Sequence, residues 1–313
     1  MLKIYKTNQV EKKIKKVKKM TTDCWIDLIE PTTDEIDKVV ARTKIDKDLI
    51  MKLLDTDELP RVEKEGNATL IVMDIPYGIS DANYKHTTYP LGIIITENNY
   101  VITLSVKKTQ LLNDFKRNKI KEFRTAKKTK FLIQVLLKAS SSYLKALKEI
   151  NEDIIEKEKV LKKSTGNKDL IDLLEIEKTL VYFITSLKAN DMVLEKLSKG
   201  IVLPLYEDDI NLLEDAIIEN KQAIEMSGIY KDILSSIKDT YATIISNNLN
   251  IAMKFLASMT IVLSIPTIIS SLLGMNVPLG IIANNNLSLL IIIVVSVITS
   301  IIIAIILKKK DML

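Results

Sequence analysis

The sequence predicts an α+β cytoplasmic domain joined through a long-helix stalk to two transmembrane helices near its C-terminal end. Three observations predict this. Two runs, IAMKFLASMTIVLSIPTIISSLL at 251–273 and LSLLIIIVVSVITSIIIAIIL at 287–307, each meet the requirement of about 20 apolar residues for a helix crossing a bilayer core. Residues 1–125 carry short β-branched runs separated by turn and capping signals. Between these regions glycine and proline become rare, and Leu, Ile, Lys and Glu dominate.

Length and charge exclude several classes. A chain of 313 residues suffices for two or three units. Its 45 basic and 40 acidic side chains leave a net charge of +5, a two-signed balance that argues against a dedicated nucleic-acid binder. The opening segment, MLKIYKTNQVEKKIKKVKKM, is basic without an apolar core and does not read as a signal peptide. The single cysteine, Cys24, excludes an internal disulfide and a cysteine-based zinc site, and reads as a small buried residue on a strand. The single histidine, His86, falls in the polar stretch SDANYKHTTYP and reads as a solvated loop residue. There is no Gly-rich phosphate loop and no nucleophile–base set, so neither an enzyme nor an organic cofactor is expected.

Within 1–125 the apolar runs predict strands near 24–29, 69–75, 91–96 and 100–106. Glu97-Asn98-Asn99-Tyr100 fits a hairpin turn, because Asn tolerates positive φ. Thr32 and Glu35 have capping-box spacing and open a helix over 33–43, with a second short helix near 47–54. Pro60-Arg61-Val62-Glu63 leads into the next strand. Residues 126–203 read as an antiparallel helical hairpin. Leu132, Val135, Leu136, Leu144, Leu147, Ile150 and Ile154 follow helical spacing, and Ser164-Thr165-Gly166-Asn167 breaks the pattern. The second helix ends at about 198, before Gly200, and its outer charges read as a solvated face.

Pro204 marks the next boundary, and the segment 204–273 reads as one long helix that becomes the first membrane span at about 251. From 207 to 273 it would be roughly 100 Å long, so it must pack laterally along a stalk. The series Glu225, Asp232, Asp239, Ser246, Met253, Thr260, Thr267, Gly274 recurs every seven residues and implies slight left-handed supercoiling of the helices sharing that face. In the membrane part Thr260, Ser264, Thr267 and Ser271 lie on one face, continued inward by Ala257, Met253 and Asn250. Close helix packing through small residues is one explanation of such a stripe, and a water-filled path lined by neutral oxygens is the other. The loop 275–286 carries no charge, whereas Lys254 and the tail 308–313, with Lys308, Lys309 and Lys310, flank the spans. That asymmetry places both termini and residues 1–250 in the cytoplasm of a cell membrane.

Gly274-Met275-Asn276 closes the first span, and the order GMN, short loop, second span, lysine tail resembles the CorA family of magnesium channels. Residues 205–276 carry most of the likeness, including LLEDAIIENKQAIEM at 212–226 and SNNLNIAMKFL at 246–256, and Trp25-Ile26-Asp27-Leu28 with Pro31-Thr32 adds to it. The resemblance implies a funnel-shaped homopentamer in lipid whose first spans line the pore. It makes Gly274, Met275 and Asn276 in the loop 274–286 the external selectivity element, Asp239 an acidic ring, and Lys308–Lys310 a basic ring at the inner mouth. Magnesium sheds its waters reluctantly, so neutral acceptors at Asn276, Thr267, Ser264, Thr260 and Asn250 suit a hydrated ion that must also leave. Met253 and Leu256 then form a hydrophobic constriction that gates by dewetting.

Departures from the family pattern are specific. Leu273 stands where Tyr is frequent, the loop lacks glutamate, and Ser264 replaces a bulky apolar residue at mid-pore. Regulatory magnesium in relatives bridges subunits through a stalk aspartate, matched by Asp215, and acids of the α/β domain, which here fall on Met51 and Lys52. Either Asp55, Asp57 or Glu58 takes over their function, or it is missing in this chain. Three functions remain open at this level: a magnesium channel that also passes cobalt or nickel, the same architecture carrying another divalent ion such as zinc, and a tail-anchored oligomeric structural or signalling protein.

Overall fold

The computed structural model describes residues 1–8, 10–78, 86–161, 167–275, 287–310 and 312. It forms two compact units, Met1–Ser236 and Ile237–Leu313, described in turn.

The first unit is built on a seven-stranded sheet in the order β2-β1-β3-β7-β6-β5-β4. Its strands are β1 (Leu2–Thr7), β2 (Ile14–Val17), β3 (Trp25–Ile29), β4 (Arg61–Glu65), β5 (Ala68–Gly78), β6 (His86–Thr96) and β7 (Val101–Ser105). Neighbours are antiparallel except β3 and β7, which run parallel. The central strands are apolar at nearly every position because both faces are covered. Leu70, Val72, Ile94, Ile102 and Leu104 point to one core, with α1 (Thr33–Thr43) and α2 (Lys47–Lys52). Ile71, Met73, Ile75, Leu91, Ile93 and Val101 point to the other, with α3 (Asn113–Lys116), α4 (Lys128–Leu161) and α5 (Asn167–Ser198).

The local signals act as their chemistry requires. Thr32 accepts from the Glu35 amide while the Glu35 carboxylate accepts from the Thr32 amide, so α1 starts at Thr33. Asn99 takes φ 63° in the turn between β6 and β7. Buried Cys24 directly precedes β3. Trp25 stacks among Tyr5, Phe115, Phe123 and Phe131, and its Nε1–H donates to Thr103 Oγ1 at 2.8 Å. Thr103 in turn donates to Asp27 at 3.0 Å, and Lys116 pairs with that buried carboxylate at 2.5 Å.

The lysine-rich opening segment forms β1 and β2, with β2 as a sheet edge whose exposed Lys15 and Lys16 discourage pairing with another chain. One expectation needs correction: His86 is not a solvated loop residue. It begins β6, its side chain is 12% exposed, its Nε2 lies 3.3 Å from Glu149, and its ring meets Phe183 edge-on. The apolar cover supplied by α5 makes that position a strand residue, which polar neighbours in sequence conceal.

α4 and α5 run antiparallel, since Tyr143 meets Phe183 while Lys157, further on, meets Asp172, further back. The Ser164–Gly166 part of the expected turn lies outside the described residues. The long helix α6 (Glu207–Leu273) begins in this unit. Its covered line is Leu213, Ala216, Asn220, Ala223, Ser227 and Leu234, a three-and-four spacing in which small residues allow close approach. Asn220 anchors the line by donating to Leu187 O at 3.1 Å, and the Ser140 hydroxyl donates to Ala216 O at 3.3 Å. The exposed line on this helix includes Asp215, Glu225 and Asp232.

The second unit holds the rest of α6 and α7 (Ser288–Lys309). Both helices are long and apolar enough to cross a membrane.

Candidate ion pathway

The chemistry of the second unit follows from which face of α6 is covered. Ser258 is buried, and Val262, Ile265, Ile269 and Leu273 are half-buried. Their spacing of four, three, four and four traces one side of the helix. The predicted stripe lies elsewhere. Asp239, Asn250, Met253, Leu256, Ala257, Thr260, Thr267, Ser271 and Gly274 are exposed, and Ser264 is half-buried at the edge of the covered side. Packing within one chain therefore does not account for the hydroxyl stripe.

The hydroxyls on this stripe have a defined polarity. Thr260 donates to Leu256 O at 2.9 Å, Ser264 to Thr260 O at 2.7 Å, and Thr267 to Leu263 O at 3.2 Å. A hydroxyl has one proton and two acceptor lone pairs. With the proton turned back onto the helix, each presents only acceptor capacity outward. That is the complement of a water molecule whose own oxygen is bound to a cation and whose protons point away from it. Pro266 lies within the helix and lacks an amide hydrogen, so the Val262 carbonyl receives no helical partner at this level.

At the outer end Gly274 N–H donates to Ser270 O and Ser271 O at 3.0 and 3.2 Å and closes α6. A Cβ at Gly274 would sit 3.4 Å from Ser270 O, an ordinary contact. Met275 is 55% exposed. Asn276, with the loop to 286, lies outside the described residues. At the other end Lys308 and Lys309 close α7, Lys310 caps it, and all three are exposed.

The candidate regulatory acids do not form a metal site within one chain. Among the described residues no three or more His, Cys, Asp or Glu side chains are grouped to hold an ion. Asp55 and Asp57 are exposed, with the Asp57 amide donating to Asp55 Oδ1 at 3.0 Å. Glu58 is paired with Arg61, and Lys52 lies 3.8 Å from Glu65.

One polar residue of α6 was absent from the expected set. Ser258 falls outside the spacing of the stripe, and its Oγ donates to the Met312 carbonyl beyond α7 at 2.7 Å. Its only sequence signal is that it is a hydroxyl off the main periodicity.

Known proteins resemble this architecture throughout. The family described as CorA-like Mg2+ transporter protein matches residues 22–309. The cobalt/magnesium transport protein CorA of Methanocaldococcus jannaschii is 28% identical over 270 residues, which are 83% of this chain and 82% of that one. The solved structure of the complete CorA magnesium transporter from the same organism aligns over 98% of this chain and 96% of its own, with a TM-score of 0.86 and 25% identity. The full-length CmaX protein aligns over 98% and 97% with a TM-score of 0.71 at 13% identity, a likeness of fold alone.

Proposed function

The chain belongs to the family of CorA-like Mg2+ transporter proteins, and from that premise we propose that it is a membrane channel for magnesium, assembled as a homopentamer around α6. The observation that carries this reading is the line of outward-facing acceptors at exposed Thr260 and Thr267 and half-buried Ser264, on a helix otherwise built for lipid. Polar groups in hydrocarbon need a partner. Five such lines facing one axis would supply each other with water and offer a hydrated cation a wall of neutral oxygens. Neutral acceptors bind such an ion weakly enough to release it. Cobalt and nickel ions, which are also hydrated divalents, would share the path. Met253 and Leu256, 62% and 68% exposed, would meet their symmetry copies as the apolar constriction. Asn250 and Asp239 would follow on the cytoplasmic side, with Lys308, Lys309 and Lys310 around the inner mouth and both termini in the cytoplasm.

Gly274, Met275 and Asn276 would form the outer selectivity element. The helix end contributes carbonyls that lack helical partners and a negative dipole sense, and Asn276 adds an amide oxygen. Since the Gly274 conformation does not itself need glycine, its missing Cβ is assigned to the space between subunits. A regulatory magnesium would bridge Asp215 of one subunit to Asp55 or Asp57 of the next; Glu58, held by Arg61, contributes less. Relief of carboxylate repulsion by that ion would hold the closed arrangement.

The decisive experiment is magnesium flux into liposomes containing the purified full chain, with cobalt, nickel and zinc as competitors. Magnesium uptake blocked by cobalt is expected. No divalent flux from correctly inserted protein would overturn the channel, and zinc uptake without magnesium uptake would overturn the ion assignment. Asn276→Ala is expected to assemble normally and lose most of the flux, about tenfold or more, which corresponds to roughly 1.4 kcal/mol or more. Wild-type uptake by that variant would remove Asn276 from the selectivity element.

A further inference from the structure

The hydroxyls of the membrane helices close locally. Thr260, Ser264 and Thr267 on α6, and Ser296 and Ser300 on α7, donate to the carbonyl four residues back. Ser258 differs: its hydroxyl donates to Met312 O, 54 residues away, at 2.7 Å. Ser258 is 0% exposed in the single chain, in a helix whose flanking residues Ala257 and Met259 are exposed. Lys310 N–H donates to Ile306 O and Leu307 O, and Met312 N–H donates to Leu307 O at 3.1 Å, which holds Met312 against the last turn of α7. Leu307 is buried at the same place, with 8% exposure.

The position on the helix gives this contact its meaning. At about 100° per residue, Ser258 lies about 200° round from Leu256 and about 140° from Met253. It is therefore behind the side chains assigned to the constriction. We infer that Ser258 is a positioning residue for the pore helix: through Met312, which is itself bonded to the end of α7, it holds α6 from its rear face and keeps the constriction side chains toward the axis. A carbonyl at the border of an apolar layer needs a donor, so the bond is not readily exchanged for another. Without it, α6 at the level of 253–258 is free to rotate or tilt away from the axis, which widens the constriction while leaving the outer selectivity element alone.

This inference rests on the proposed channel, and its test separates the two. The full-length protein is compared with Ser258→Ala, with Ser258→Thr, with a chain ending after Lys310, and with the truncation and Ser258→Ala combined. Ending after Lys310 removes the Met312 carbonyl and keeps all three lysines. Hydrogen exchange at the amides of 252–262, read by mass spectrometry in detergent, is expected to rise about fivefold in Ser258→Ala and in the truncated chain, the effect of one buried hydrogen bond. Combining them should add nothing further, and Ser258→Thr, which keeps the donor, should match the parent protein. Magnesium flux is expected to rise about fivefold in the same pattern with unchanged preference among ions. Equal exchange in parent and truncated chains, or effects that add in the combined variant, would overturn the inference. A parent protein that carries no divalent ion would overturn the channel, while the exchange measurement would still decide whether Ser258 and Met312 hold the helix.

Discussion

At the scale of single residues, chemistry depends on where a proton is directed. Thr260 is assigned to the pathway because its hydroxyl turns inward and leaves an acceptor facing out. Thr260→Val keeps the shape and removes the acceptor, whereas Thr260→Ser keeps both the local bond and the acceptor. Magnesium uptake should fall about fivefold in the first and stay near the parent value in the second, as loss of about 1 kcal/mol per acceptor implies. Equal losses in both would point to packing instead. Asp74 shows the opposite use of burial. Its carboxylate accepts from the Ser186 hydroxyl at 2.5 Å, the Asn190 side chain brackets its backbone at 2.8 Å on both sides, and Tyr143 faces it from α4. Burial raises its pKa, and the Ser186 hydrogen bond offsets only part of this. A folded-state pKa above the unfolded one means that ionisation works against folding as pH rises through the raised value. Asp74→Asn, which stays neutral, should therefore unfold at a higher temperature than the parent protein near neutral pH. That advantage should vanish once the pH drops below the ordinary carboxylate range. A difference in melting temperature that does not change with pH would contradict this account.

At the scale of elements, close approach decides what a sequence position tolerates. Gly92 in β6 lies under Leu53, the residue that caps α2, and a Cβ added there would collide with the Leu53 side chain. Leu53 is itself buried, at 2% exposure. Gly92→Ala should destabilise the first unit by about 1–3 kcal/mol, the typical cost of overpacking, seen as a lower denaturation midpoint. An unchanged midpoint would mean that α2 gives way. The same reasoning explains the covered line on α6, where Ala216, Ala223 and Ser227 are fully buried and leave room for neighbouring helices.

At the scale of the whole molecule, one hairpin of two spans cannot enclose a path for ions. In the proposed channel, copies of the chain would complete the site at the uncovered stripe and the apolar Met253 and Leu256. A cyclic oligomer of five subunits is expected in mild detergent, measurable by light scattering or native mass spectrometry. Transport by a monodisperse monomer would overturn it. Asp215→Lys replaces the proposed bridging ion with a fixed charge, and protease protection of the cytoplasmic part should then no longer depend on magnesium. If the parent protein is equally sensitive with magnesium and with a chelator, Asp215 and the acids at 55 and 57 have no gating role.

What the sequence determined by itself was local or one-dimensional in origin. The spans were legible because hydrocarbon thickness sets a length and a composition, and the stripe because a helix repeats with a fixed angle. The start of α1 was legible because Thr32 and Glu35 satisfy each other across three residues. Family likeness was legible in the placing of Gly274-Met275-Asn276 between two such spans. What only tertiary structure decided concerned groups whose partners are far away in the chain. The strand role of β1 depends on pairing with β3 and that of β2 on pairing with β1, and the burial of His86 on α5 packing over β6. The choice of which side of α6 is covered, and the bond from Ser258 to Met312, arise when two helices fold back on each other. A hydroxyl in the sequence carries no mark of where its proton points, and a pattern of spacing cannot say which face meets a neighbour. Those are properties of packing, fixed by the sum of contacts and not by any segment alone.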